Sequence, residues 1–417
     1  MRYERYRKTG IAWLPEVPEG WEVRRARYLF RKEQRSTRPG DEIVTAFRDG
    51  QVTLRKNRRT TGFTEATDYS HYQGICKGDL VIHQMDAFAG CAGVSDSNGM
   101  GTPVLSVCTP ISNQVDVFYF AHIVRLMGRN GYIQSLARGI RERSADFRFE
   151  TFARQSLPLP PLPEQQAIAA YLDSKCGKID RLVAAKEKEV ALLKELKQSM
   201  IAEAVTRGVD HKSLKVPTGV FWQPRMPIGW SVKKCRHVLQ KLSRPRPQDA
   251  ELLVCTNKGT VNKRGDAKIG LVSDDETIYQ GVAAGDLLIH GMDTWHGAIA
   301  VSEFDGMCTP VVHVCDSAEN KAFVAYCFQN MARGKLFKLI SNGVRQNTSD
   351  FRSWEKVARL PLVLPSRDEQ DRIVAYIEAR AAKIDAAVGK LEAEVAALKE
   401  YRERLVADVV TGQRKVA

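Results

Sequence analysis

The stretch KGDLVIHQMDAFAGCAGVSDSNGMGTPVLSVC, Lys77–Cys108, returns as AGDLLIHGMDTWHGAIAVSEFDGMCTPVVHVC, Ala284–Cys315. A match of that length is a duplication, and a duplication decides the architecture before any motif is weighed. The repeated runs GDLVIH, PVLSVC, GDLLIH and PVVHVC are short, apolar and bounded by Gly, Asp or Pro, which is the pattern of strands. Upstream, PEVPEGWEVRRAR at Pro15–Arg27 matches PRMPIGWSVKKCR at Pro224–Arg236. Downstream, GIRERSADFR from Gly139 matches GVRQNTSDFR from Gly343, and Glu164–Thr206 matches Glu369–Thr411 with Tyr171/Tyr376 and the two Lys-Ile-Asp triplets in step.

Each half changes character at a proline-rich connector, LPLPPLPEQ (157 to 165) and LPLVLPSRDEQ (360 to 370). Proline fixes φ and lacks a donor, so these read as stiff connectors that end strand or coil. Each connector leads into a long run without proline and almost without glycine, rich in Ala, Glu, Lys and Leu. In the second run Ile377, Ile384, Leu391, Leu398 and Leu405 recur every seventh residue, with Ala381, Val388, Val395 and Val409 on the companion position and Arg402 interrupting. In the first, Leu172, Ile179, Leu193 and Met200 hold one register, interrupted by Lys186, and Cys176, Val183, Val190 and Ala204 the other. Such heptads predict a coiled-coil seam. The partner at hand is the duplicate, and the two helices must run antiparallel if a globular half enters each at its N-terminus.

The expected fold is therefore mixed α/β: two tandem globular α/β domains separated by two long helices packed as an antiparallel coiled coil, with pseudo-twofold symmetry. The expected segments are 1–160, a helix over 161–210, a second domain over 211–365 and a second helix over 366–417. A length of 417 residues agrees, at roughly 100 to 200 residues per domain.

Lys and Arg number 63 against 49 Asp and Glu, a net charge of +14, which favours a polyanionic partner: nucleic acid first, an acidic membrane surface second. No stretch approaches the roughly 18 uncharged apolar residues of a membrane span, and MRYERYRKTGIAWLPEVP has no apolar core of a secretion signal, so a cytoplasmic location is expected. The nine cysteines form no CxxC pair, which predicts reduced, mostly buried thiols and no zinc site of ordinary spacing.

The sequence contains no GxxxxGK[ST] loop, no Gly-rich dinucleotide turn and no Asn-Pro-Pro-aromatic string. Glu195-Leu196-Lys197 resembles a nuclease carboxylate and lysine pair, yet sits in the helical run where such residues are solvated. His83 and His290, each three residues before Asp86 or Asp293, read as satisfied histidines closing a strand, with a metal site, an acid/base pair or DNA contact as the other readings. Cys108 and Cys315 end apolar runs and read as core. The Ser-Ala-Asp-Phe and Thr-Ser-Asp-Phe strings read as helix N-caps built on Asp146 and Asp350.

Basic residues point further. Between Arg24 and Arg59 there are twelve Lys or Arg and four Asp or Glu. The run Leu54–Gly62 supplies Arg55, Lys56, Asn57, Arg58 and Arg59, and its positional equivalent Thr256–Lys268 supplies Asn257, Lys258, Asn262, Lys263 and Arg264. Lys and Arg neutralise phosphates, and Arg, Asn and Gln make bidentate contacts to base edges. The two loops differ far more than the blocks flanking them, as a reader of an asymmetric site requires. A further patch holds Arg138, Arg141 and Arg143 in the first copy and Asn342, Arg345, Gln346 and Asn347 in the second.

The tandem plan, the Pro-Leu-Pro-Pro-Leu-Pro-Glu-Gln connector at 158 to 165, its poorer copy ending Asp368-Glu369-Gln370, and the paired Lys-Ile-Asp helices together resemble the specificity subunit of type I restriction-modification enzymes, over essentially the whole chain. The second connector departs from the pattern at Val363 and Leu364. The resemblance implies a non-catalytic DNA-recognition subunit acting in defence against foreign DNA. Two target-recognition domains each read half of a split site, and the helices act as spacer and dock two modification subunits. These carry S-adenosylmethionine and methylate adenine. Two restriction subunits, where present, add ATP- and Mg²⁺-dependent translocation and cleavage. No cofactor, catalytic residue or metal is implied on this chain. The alternative is a stand-alone DNA-binding nuclease or modification enzyme; a bare coiled-coil scaffold leaves the basic loops unexplained.

Overall fold

The computed structural model describes residues 2–58, 68–136, 146–210, 213–265, 276–341 and 351–416. The chain forms two compact units, Met1–Lys186 with Ala393–Ala417, and Glu187–Glu392. Arg59, Arg138, Arg141, Arg143, Asn342, Arg345, Gln346, Asn347 and Asp350 lie outside the described residues.

In the first unit the order is β1 (Tyr6–Ile11), β2 (Leu14–Pro18), β3 (Glu22–Arg25), β4 (Phe30–Lys32), β5 (Val44–Ala46), β6 (Val52–Leu54), β7 (Gln73–Ile75), β8 (Leu80–His83), β9 (Ala92–Val94), β10 (Gly99–Gly101), β11 (Leu105–Pro110), α1 (Val117–Arg129), α2 (Tyr132–Ser135), α3 (Phe149–Ala153), β12 (Ser156–Leu159) and α4 (Leu162–Arg207). The centre is an antiparallel sheet in the order β4-β11-β8-β9. In β8, Leu80 and Ile82 enter the main core with Trp21, Phe30, Tyr119 and Phe120, whereas Val81 enters a second core with Val44, Val52 and Leu105. Alternate side chains leave opposite faces of a strand, so a strand covered on both faces reads as the unbroken apolar run LVIH.

The second unit repeats this with β13 (Lys215–Pro217), β14 (Arg225–Pro227), β15 (Ser231–Lys234), β16 (Gln240–Lys241), β17 (Leu253–Cys255), β18 (Val261–Lys263), β19 (Gln280–Val282), β20 (Leu287–His290), β21 (Ile299–Val301), β22 (Gly306–Cys308), β23 (Val312–Asp316), α5 (Lys321–Arg333), α6 (Leu336–Leu339), α7 (Trp354–Ala358), β24 (Pro361–Leu364) and α8 (Arg367–Val410). Its sheet runs β16-β23-β20-β21, and Leu287 and Ile289 face one core while Leu288 faces the other.

The Gly-Asp of each repeated run makes the turn into the central strand. Gly78 and Gly285 have φ of 94° and 90°, the left-handed region glycine enters freely. Asp79 and Asp286 accept the backbone N–H of Cys76 at 2.7 Å and of Ala283 at 2.8 Å, and their nearly buried carboxylates pair with Arg35 at 2.5 Å and with Arg244.

Each connector begins as a strand, which ends before the helix. Ser156–Leu159 pairs antiparallel with Glu22–Arg25, and Pro361–Leu364 with Ser231–Lys234, so connector and Gly-Trp block are strand partners. Val363 and Leu364, which replace the proline pair, are buried there. The Glu-Gln at the end of each connector is structural. Gln165, fully buried, accepts the Asp116 N–H at 2.9 Å and donates to the carbonyls of Gln114 at 3.0 Å and Pro160 at 2.8 Å. Gln370 accepts the Asn320 N–H at 2.9 Å and donates to Glu319 at 2.7 Å and the Pro365 carbonyl at 3.1 Å. Each glutamine thus ties the start of a long helix to the N-cap of α1 or α5, where Asp116 and Asn320 accept the Tyr119 and Phe323 N–H groups.

Within the first unit the N-terminal part of α4 packs antiparallel against the C-terminal part of α8, and Leu172, Cys176, Leu405 and Val409 join the core. Within the second, Ile201 and Ala204 pack with Ile373 and Ile377. Both residues that interrupt the heptads are paired: Lys186 with Glu394 at 2.5 Å and Arg402 with Asp180 at 2.7 Å. Two expectations change. Leu398 is half-buried, because two helices cover only one side of each other. Asp146 is not a cap: α3 begins after Arg148 without a side-chain cap, and Asp146 accepts from Arg148 Nε at 2.7 Å instead.

Candidate nucleic-acid interface

The basic loops belong to two matched hairpins. β5 and β6 pair with Val44 opposite Leu54 and Ala46 opposite Val52; β17 and β18 pair with Leu253 opposite Lys263 and Cys255 opposite Val261. The turns close alike, Phe47 N–H to the Gln51 carbonyl at 2.9 Å and Thr256 N–H to the Thr260 carbonyl at 2.8 Å. The exits also match, with the N–H groups of Arg55 and Arg264 donating to the carbonyls of Ile43 and Leu252, each at 2.8 Å. Arg55 therefore corresponds to Arg264, and the turn Arg48-Asp49 to Asn257-Lys258. Arg48 was missed by sequence reading; aligning both hairpins on their strands rather than their charges would have found it.

In the first hairpin Arg55 is half-buried beside Thr45, while Lys56, Asn57 and Arg58 are exposed. Lys56 pairs with Glu42 at 2.5 Å, and Arg58 with Asp49 at 2.5 Å while stacking 4.5 Å over the Phe47 ring. Exposed pairs of this kind are worth about 0–1 kcal/mol, so a phosphate can displace the carboxylate at small cost. Asn57 donates to the Thr53 hydroxyl at 2.8 Å. In the second hairpin Asn257, Lys258, Asn262 and Lys263 are exposed. Lys263 pairs with Glu251 at 3.0 Å and lies 5.4 Å from the Phe304 ring centre. Arg264 is half-buried, with Nε shielded from solvent and without a hydrogen-bond partner among the described residues.

In the duplicated His-x-x-Asp turns each histidine is satisfied locally, and Asp86 also pairs with Arg48 of the β5–β6 turn at 3.4 Å. His83 Nδ1 accepts the Asp86 N–H and His290 Nδ1 the Asp293 N–H, each at 3.1 Å, and burial lowers the pKa of both rings. Among the described residues no three His, Cys, Asp or Glu side chains gather as a metal site would require. The nine thiols are free, and all but Cys76 are buried; burial pushes Cys91, Cys255, Cys308 and Cys315 up to about 12. Glu195-Leu196-Lys197 lies on α4, and Lys197 pairs with Asp385 at 2.6 Å.

No known protein-family profile matches the chain. A structure described as "Structural basis underlying complex assembly and conformational transition of the type I R-M system" superposes with a TM-score of 0.70 at 14% identity, covering 94% of this chain and 98% of that one. The HsdS subunit from Thermoanaerobacter tengcongensis superposes with a TM-score of 0.52 at 14% identity, over 95% and 98%. The fold is that of type I restriction-modification specificity subunits. In sequence, the chain is 24% identical over 230 residues to a putative type I restriction enzyme MjaX specificity subunit of Methanocaldococcus jannaschii, a match covering 51% of each. The chain thus spans about half the length of that curated relative. Among the described residues, no helix is long and apolar enough to cross a membrane.

Proposed function

We propose that this chain is the DNA sequence-specificity subunit of a type I restriction-modification complex. Each globular unit reads one half of a bipartite, asymmetric site, and the long helices space the readers and dock two modification subunits. The observation that carries this is the pair of matched hairpins: the same backbone register, held by the same closing bonds, presents Arg48, Arg55, Lys56 and Arg58 in one copy and Asn257, Lys258, Asn262 and Lys263 in the other. Conserving the strands while changing the displayed side chains is what reading two different half-sites requires. Arg59, Arg138, Arg141, Arg345 and Gln346, which lie outside the described residues, are proposed as further DNA-binding residues on their charge and sequence position alone. S-adenosylmethionine, and ATP with Mg²⁺ where restriction subunits join, belong to the partners; the chain itself supplies recognition.

The test is adenine-methylation mapping with the modification subunit co-expressed. Exchanging Phe47–Arg58 for the matching hairpin of another sequence should change one half-site and leave the other intact; equal loss at both would refute independent readers. Arg58→Ala or Lys263→Ala should lower the salt slope of binding by about one if the contact is to phosphate, or relax one base position by ~1–3 kcal/mol if it is to a base. The purified chain given S-adenosylmethionine, or Mg²⁺ and ATP, should neither methylate nor cut DNA. Product from the chain alone would establish the stand-alone enzyme instead.

A further inference from the structure

The first unit contains a cleft of about 720 Å³ bounded by the β5–β6 turn, α1 and the two long helices. One face of α1 supplies His122, Arg125 and Arg129. Arg125 Nη2 donates to His122 Nδ1 at 2.9 Å, leaving Nε2 as the protonated nitrogen that donates to Asp173 at 3.2 Å. The other Arg125 N–H groups have no protein acceptor among the described residues. Neither Arg125 nor Arg129 forms an ion pair with a carboxylate there, and the one hydrogen bond of Arg129 runs to the Arg48 carbonyl at 3.5 Å. Of the cleft's acids, Asp173 is engaged by His122, Asp180 by Arg402 and Asp49 by Arg58; Glu403 also lines the wall. Arg402 Nε sits 2.7 Å from Asp180 but out of line for a hydrogen bond, which Nη2 makes at 3.2 Å. Burial, with Arg129 and Arg402 nearby, pushes the Arg125 guanidinium down to about 10, so it stays charged at neutral pH.

The duplicate shows what this place looks like without that charge. There Tyr326 and Gln329 stand for His122 and Arg125, Lys197–Asp385 stands for Arg402–Asp180, and Arg333 donates to the Gln198 carbonyl at 2.7 Å. Gln329 is satisfied internally by the Ile299 carbonyl at 2.7 Å. Both turns come so close that a Cβ on Gly50 would overlap Arg125 Nη1, and one on Gly259 would overlap Gln329 Nε2. The scaffold is thus built equally well around a neutral amide. A half-buried guanidinium with no carboxylate partner among the described residues carries a desolvation cost, and the fold does not need it.

We infer that this cleft of the first unit is a phosphate-accepting site in which Arg125 and Arg129 hold the anion, and that the second unit has no such site. Guanidinium N–H groups in a planar fork match phosphate oxygens bidentately. The phosphate comes either from the DNA backbone, since the cleft lies beneath the turn of the hairpin assigned to recognition, or from a free phosphate in solution. The DNA source rests on the function proposed above; the free anion does not.

Two measurements on the full-length chain test this. Calorimetric titration with inorganic phosphate at constant ionic strength should show one saturable site, lost in Arg125→Gln, which copies the second unit, and retained in Gln329→Ala. Arg129→Gln supplies a second probe should Arg125→Gln fold poorly. Separately, the salt slope of DNA binding should fall by about one in Arg125→Gln if DNA supplies the phosphate; saturable phosphate binding with an unchanged slope assigns the site to the free anion. Absence of saturable phosphate binding together with an unchanged slope overturns the inference. So does loss of modification-subunit affinity in Arg125→Gln without phosphate binding, which would identify an acidic side chain of that partner as the occupant. A chain that takes up phosphate but shows no DNA affinity would sink the proposed function and leave this site standing.

Discussion

Gln165→Leu should destabilise the first unit by about 2–5 kcal/mol. Leucine nearly preserves the volume, so the loss is of hydrogen bonds rather than packing. The Pro160 carbonyl, bonded at 2.8 Å in a buried setting, is left unsatisfied at a cost of about 1–3 kcal/mol. The Asp116 N–H and Gln114 carbonyl, at 2.9 and 3.0 Å, are only partly buried, so water replaces part of each bond and each adds about 0.5–1 kcal/mol. The damage should spread to α1, whose first turn is capped by Asp116. The assay is urea unfolding combined with native-state hydrogen exchange, read at the α1 amides and the α5 amides separately, since two units need not unfold in one step. Exchange should accelerate in α1 and stay unchanged in α5, and Gln370→Leu should do the reverse. A loss below about 1 kcal/mol, or equal acceleration in both helices, would refute the assignment of these glutamines as local ties.

Leu398→Ala should cost about 1–2.5 kcal/mol by urea unfolding, below the ~2–5 of a buried leucine, because the site is half-exposed and leaves no closed cavity; a full core-sized loss would mean that another chain segment covers it. His122 is held neutral by burial, its folded pKa below its ordinary value despite Asp173. The stability this gives is present above about pH 6.5 and lost as pH falls through the folded pKa, because the unfolded chain takes up the proton first. First-unit stability should therefore decline from pH 7.5 to 5.5, and less steeply in His122→Asn; a flat profile in the parent chain would contradict the buried neutral ring. Cys76 is the one thiol that is not buried, so the native protein should react with a thiol reagent in a single fast step that Cys76→Ser removes; several equally fast thiols would contradict the packing of the other eight.

Duplication, sheet strands, long helices and the excess of positive charge were legible in the chain because each is written in local pattern or composition. Apolar runs of strand length, heptads and charge excess depend on residues near one another in sequence. The Gln of both connectors was visible as a signature, but its role depended on Asp116 and Asn320, some fifty residues away, and no local pattern encodes that distance. The strand partners of the connectors, Glu22–Arg25 and Ser231–Lys234, were not legible because they are distant in the chain.

By itself, then, the sequence determined that this protein is two copies of one mixed α/β plan, each followed by a long amphipathic helix, with basic polar loops at matched places; period, composition and repetition carry that information without reference to contacts. Tertiary structure alone decided that Lys186 and Arg402, apparent flaws in the heptads, find carboxylates on the facing helix. It likewise decided that Asp146 does not cap α3, and that Arg125 sits half-buried with no carboxylate partner among the described residues while its counterpart Gln329 is satisfied by a backbone carbonyl. The physical reason is the same throughout. The free energy of a charged or polar group is set by what surrounds it after folding, and in this chain the deciding neighbours come from elements far apart in sequence.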